Sequence, residues 1–164
     1  MEAIDYLYPE EKSEMYHLLL EQLKAMLDGE PHVLPNLSNA SALLNLALKD
    51  INWVGFYLMK DGELLLGPFQ GKPACIHIPV GKGVCGTAVA SATTQLVPDV
   101  HAFPGHIACD SASRSEIVIP LSSEGTIIGV LDIDSPLVGR FDEEDLAGLE
   151  AFAAELTKGC NWAL

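Results

Sequence analysis

In several stretches between Trp53 and Ser135 apolar side chains recur at every second residue, whereas on both flanks they recur at the spacing of a helical turn. That change of period constrains the fold more than any other feature. A chain with strands in its middle and helices at both ends builds one sheet and covers it with the terminal helices, an α+β arrangement. At 164 residues it is long enough to bury a core without disulfides or metal, so one domain over residues 1–164 is expected.

The first helix is expected from Pro9, with Met15, Leu18, Leu19, Gln22 and Met26 on one face and Gly29 closing it. A second should begin near Asn36 or Ser38 and run to Asp50 with Leu43, Leu44, Ala47 and Leu48 as its stripe. From Trp53 the pattern turns to strands, with Asp61-Gly62 joining the first two. Further strands are expected at CIHIPV, around QLVPDV, at EIVIPLS and at TIIGVLDIDS, the last two joined by Glu124-Gly125. Between the third and fourth, GKGVCGTAVASATT suggests a short helix with exposed N-terminal amides. Asp142 should cap the last helix and Gly159 end it.

Nine Lys and Arg against 23 Asp and Glu leave a net charge of −14. No basic stripe is present on which phosphates could lie, so nucleic acid is an unfavourable partner. No run is long and apolar enough to span a bilayer, and the N-terminus is acidic where a leader would be basic, so a cytoplasmic protein without a membrane partner is expected. Its four cysteines, Cys75, Cys85, Cys109 and Cys160, should then be reduced at rest. They form no CxxC pair, and with His77, His101 and His106 they match no standard zinc spacing, so no metal is expected.

With the terminal helices on one side, the other face of the sheet is left free, and strand alternation puts assorted chemistry there. Glu116, Asp132 and Asp134 fall on that face, as do Trp53 and Tyr57, with Gly55 between them leaving room for an approaching group. The acids could equally form a solvated face, and the aromatics a core or dimer interface. The stretch from Asp99 to Glu116 is too long for a turn and carries Cys109, which could reach a ligand on the sheet; nearby amides, Arg114 or a protonated histidine would raise its thiolate fraction. Cys75 and Cys85 sit at a strand end and a helix start that could flank the same pocket, so one nucleophile and one resolving thiol are available. Cys85 and Cys160 also read as small buried hydrophobes.

The segments NWVGFYL, GPFQGKPACIHIPVGKGVCGTAV, VPDVHAFPGHIACDSASRSEIVIPL and GVLDIDSP together resemble the free methionine-R-sulfoxide reductases, which are built on a GAF domain. The resemblance runs through most of the chain and implies a central antiparallel sheet, with N- and C-terminal helices on one face and the ligand pocket on the other. It implies Cys109 as the catalytic cysteine, Cys75 as its disulfide partner and Cys85 as an auxiliary resolver. It also implies Trp53 and Tyr57 around the substrate side chain, and Glu116, Asp132 and Asp134 as the acids that hold the substrate, with Glu116 the first choice of proton donor. No bound cofactor is implied; thioredoxin would supply the reducing equivalents, and free methionine-R-sulfoxide would be the substrate. An isologous homodimer through the terminal helices is also expected. The competing expectation is a GAF module that senses a ligand or redox state without turnover, which would ordinarily be attached to an output domain; the chain ends soon after its last helix.

Overall fold

A computed structural model describes residues 6–107 and 109–163. Helices α1 (Lys12–Leu27) and α2 (Val33–Ala47) precede the hairpin β1 (Trp53–Lys60) and β2 (Glu63–Gly71). The short strand β3 (His77–Pro79), helix α3 (Gly83–Ser91) and short strand β4 (Gln95–Val97) follow. A second hairpin, β5 (Ser115–Ser123) and β6 (Thr126–Ser135), leads to α4 (Glu143–Gly159). The six strands form one sheet in the order β3-β2-β1-β6-β5-β4, with every neighbouring pair antiparallel. In both hairpins the two turn residues, Asp61-Gly62 and Glu124-Gly125, take positive φ, the conformation whose twist matches that of the flanking strands.

Two helix starts differ from the sequence expectation. Pro9 lies before α1, which begins at Lys12 because the Glu11 side chain accepts from the Ser13 and Glu14 amides. Helix α2 starts at Val33 rather than at Asn36 or Ser38 and ends at Ala47, short of Asp50, with no side-chain cap. Pro35 is then in its first turn, where a missing N–H costs nothing. Asn36 is instead buried, its Nδ2 donating to the Glu30 carbonyl at 2.8 Å. Ser38 Oγ donates back to the Leu34 carbonyl within the helix.

The last helix is capped as its sequence indicates. Asp142 accepts from the Glu144 and Asp145 amides, and Asp145 accepts in return from the Asp142 amide. Asp145 is fully buried and also receives the Tyr16 hydroxyl at 2.6 Å and Lys12 Nζ at 2.7 Å, which ties α4 to α1. Leu19, Leu23, Leu37 and Leu44 from the first two helices, with Leu149, Phe152 and Leu156 from α4, close over one sheet face. That face presents Val54, Phe56, Ile117, Ile119, Leu131 and Ile133, the alternation set read from the strands.

The opposite face is not free. Helix α3 and the connection that follows β4 cover it, and Val84, Cys85, Ala88 and Val100 pack with Tyr57, Val118 and Val130 in a second, smaller core. The sheet is therefore sandwiched between two layers. Among the described residues no helix is long and apolar enough to cross a membrane.

Candidate active site

The register of the two hairpins brings the acids together. Glu116 on β5 stands opposite Asp134 on β6, and Asp134 stands opposite Trp53 on β1; Asp132, two residues back on β6, faces Gly55. These residues share a face because strand side chains alternate, and the layer above buries them: Glu116 and Asp132 are each 6% exposed. The alternative of a solvated acidic face is excluded by that burial.

Burial drives all three carboxyl groups upward from their ordinary range. Glu116 lies well above it, first through desolvation and then through repulsion from Asp132 and Asp134. Asp134 is likewise well raised by burial and by Asp132. Asp132 is pushed up to about 6 by burial, and hydrogen bonds from Glu116 and Cys85 limit the rise. Glu116 and Asp134 therefore hold protons more strongly than Asp132, which is the acid that ionises most readily. Asp132 Oδ1 is fully buried yet has no hydrogen-bond partner among the described residues.

The aromatic wall has three members, not two. Trp53 stacks on Tyr57 at a centroid distance of 5.9 Å and on Phe69 at 5.2 Å. The room at Gly55 is taken by Phe69, its cross-strand partner, whose own atoms lie where a Cβ at 55 would sit. The sequence carried a signal for this residue, because a strand glycine invites a large ring from across the ladder. Trp53 Nε1 donates to the Lys72 carbonyl at 3.1 Å, and the Tyr57 hydroxyl to the Cys75 carbonyl at 2.9 Å. The wall thus also positions the segment that carries Cys75.

Cys75 and Cys109 are joined in a disulfide, with Cα atoms 5.7 Å apart across 34 residues of chain. The Cys109 loop is held from below by Asn52, a residue sequence reasoning missed. Its Nδ2 donates to Asp110 Oδ2 at 3.0 Å and to Ser113 Oγ at 3.1 Å. Cys85 remains a free, buried thiol, and burial followed by repulsion from the three acids pushes its pKa well up. Cys160 is free and half-buried at the end of α4, packed against the helix-side core.

The two suggested activators of Cys109 are placed differently relative to the cavity. Arg114 is exposed and absent from the cavity wall; its backbone is what the fold uses, bonding to Val100 and Ser135. His106 does line the cavity, with Nε2 3.9 Å from Glu116 Oε2, but burial and the nearby His101 lower its pKa, so it is neutral rather than cationic. His77 is exposed and bonded to Glu63, Cys75 and Cys109 are consumed in the disulfide, and no cysteine–histidine ligand set is assembled among the described residues.

These groups surround a small cavity that is partly open to solvent. Its wall carries Trp53, Tyr57, Cys85, Cys109, Glu116, Asp132 and Asp134, and Cys75 meets it through the bond to Cys109. An apolar wall, an acidic floor whose carboxyl groups burial pushes upward, and a disulfide at the rim can receive a small zwitterion and exchange electrons with it. The amides that begin α3 approach the same space through Lys82 and Gly83, with no side-chain cap bonding to them.

Comparison with known proteins gives a consistent relationship. The model of the GAF domain family matches residues 13–158. The free methionine-R-sulfoxide reductase of Escherichia coli (strain K12) is 57% identical over 147 residues, 90% of this chain and 89% of that protein. The enzyme of that name from Saccharomyces cerevisiae is 48% identical over 157 residues, covering 91% of this chain and 87% of the relative. The X-ray structure of free methionine-R-sulfoxide reductase from Neisseria meningitidis, in complex with its substrate, superposes with a TM-score of 0.92 at 45% identity. It covers 97% of this chain and 95% of that one.

Proposed function

The chain belongs to the GAF-domain family of free methionine-R-sulfoxide reductases, and from that premise we propose that it reduces free L-methionine-(R)-sulfoxide with Cys109 as nucleophile and Cys75 as resolving thiol. The observation that carries the residue assignment is the Cys75–Cys109 disulfide at the rim of a cavity whose floor holds a protonated Glu116.

A sulfoxide sulfur is electrophilic, but its oxygen cannot leave as a bare anion, so a thiolate and an acid must act together. The Cys109 thiolate attacks the substrate sulfur while Glu116 protonates the oxygen. Methionine departs and Cys109 is left as a sulfenic acid. The Cys75 thiol displaces the hydroxyl of that acid as water, forming the disulfide. Across the cycle two thiols lose two hydrogens, and the sulfoxide oxygen leaves as water. An external dithiol, thioredoxin by family analogy, restores both thiols by exchange, and no bound cofactor takes part.

Asp132 and Asp134 receive the substrate's ammonium group, which satisfies the orphaned Asp132 Oδ1. The first amides of α3 receive its carboxylate. A methionine within a peptide offers neither charge, which restricts the enzyme to the free amino acid. Trp53 and Tyr57 enclose the thioether chain, with Phe69 stacked on Trp53 to hold it in place. Cys85, too deep and too weakly acidic to lead the attack, is at most an auxiliary resolver. Preference for the R epimer rests on the family relationship. Residues 1–164 act as one GAF domain, as a homodimer through the terminal helices, in the cytoplasm, where a thiol cycle finds its reductant.

The test is turnover of free methionine-R-sulfoxide with a chemical dithiol, using the S epimer and a peptide-bound sulfoxide as controls. Activity should be confined to the free R epimer, and Cys109→Ser should lower it on the order of 10³-fold or more. No turnover from folded, reduced protein would leave the ligand-sensing GAF reading.

A further inference from the structure

Cys85 is the pocket thiol that the proposed cycle does not require. It reaches down from α3 so that its Sγ and one oxygen each of Glu116 on β5 and Asp132 on β6 all lie within 4.8 Å of one another. All three residues are buried, and Asp132 Oδ1, on the cavity wall, has no hydrogen-bond partner among the described residues. An ammonium ion needs only the oxygens. A sulfur beside two carboxylates is instead the donor set of a borderline-soft divalent metal.

We propose that the cavity is also a binding site for a divalent cation of the zinc and cadmium class, held by Cys85, Glu116 and Asp132. The geometry needs little adjustment: zinc bonds of about 2.3 Å to sulfur and 2.0–2.2 Å to oxygen put tetrahedral donor atoms roughly 3.3–3.7 Å apart. The ligands come from three packed elements, so the site is largely preformed. Binding releases the Cys85 thiol proton and the Glu116 proton to solvent. The ion occupies the acids assigned to the substrate's ammonium group, so occupancy by metal and by substrate is mutually exclusive. The metal site itself does not depend on the reductase reading.

The experiment uses the disulfide form of the full chain without reductant, leaving Cys85 and Cys160 as its thiols. Titration with Cd²⁺ should give a sulfur-to-cadmium charge-transfer band that saturates at about one equivalent and is reversed by Zn²⁺. Cys160→Ser should keep the band and Cys85→Ala should abolish it, while Glu116→Gln and Asp132→Asn should each weaken binding about tenfold or more. Cooperative urea unfolding of each variant verifies that it is folded. A band that survives Cys85→Ala, or disappears in Cys160→Ser, overturns the assignment. So does absence of any band from folded wild type, or undiminished affinity in both carboxylate variants.

Discussion

The two faces of the sheet are built from adjacent residues of the same strands and obey different rules. Leu131 and Asp132 are neighbours on β6; one is fully buried among leucines and isoleucines under α1, α2 and α4, the other among acids and a thiol under α3. On the helix side, burial chiefly removes apolar surface from water. On the pocket side, burial confines three carboxyl groups within reach of one another, raises all three pKa values and leaves Asp132 Oδ1 without a partner among the described residues. The first face contributes the stability that allows the second to hold groups that weaken the fold until a ligand meets them.

Substituting the adjacent pair should expose this difference most strongly. Leu131→Ala should cost about 2–5 kcal/mol in urea unfolding with KM little changed. Asp132→Asn should leave stability unchanged or raise it by about 1 kcal/mol, while raising KM for the free sulfoxide roughly 30-fold or more. Comparable destabilisation by both would mean that the acid supports the fold and would collapse the distinction.

Titration sharpens the same contrast with a smaller effect. The pocket acids have folded pKa values above their unfolded values of about 4, so the folded protein holds protons that the unfolded chain has released. Their stabilising contribution is complete below about pH 4 and is lost as pH rises through about 6, the Asp132 value, and beyond for Glu116 and Asp134. On the helix side the sign reverses. The hydrogen bond from Lys12 to Asp142 holds that carboxyl down at about 2, so its contribution is present above about pH 4 and disappears as pH falls through 2. Wild-type stability should therefore decline from pH 5 to pH 8, by on the order of 1–3 kcal/mol, and Glu116→Gln should flatten the decline. An unchanged slope in that variant would remove Glu116 as the proton holder.

The smallest effect is expected at Arg114, which is exposed and outside the cavity wall. Arg114→Ala should change turnover less than about twofold and stability by less than about 0.5 kcal/mol. A tenfold loss of turnover would restore it as an activator of the Cys109 loop.

Several parts of this arrangement were legible before any coordinates. The Asp142 cap, the Asp61-Gly62 and Glu124-Gly125 turns and the two sets of strand residues follow from local rules, because each depends on neighbours within a few positions. The start of α2 was not legible, since Asn36 looks like a cap but is drawn to the Glu30 carbonyl by tertiary packing. Phe69 escaped notice because its importance appears only when β2 is laid against Gly55. Asn52 escaped for a similar reason: its partners Asp110 and Ser113 are some 60 positions away in sequence.

The sequence by itself determined the order of elements, the faces on which Trp53, Tyr57, Glu116, Asp132 and Asp134 lie, and the supply of cysteines, because periodicity and residue type are local properties. Only the tertiary structure decided that α3 and the Cys109 loop close over those residues, that Cys75 meets Cys109, and that burial among other acids raises the Glu116 pKa. The physical reason is that a pKa, a bridge and a buried charge depend on the dielectric and the neighbours around a group, and here those neighbours come from segments far apart in the chain.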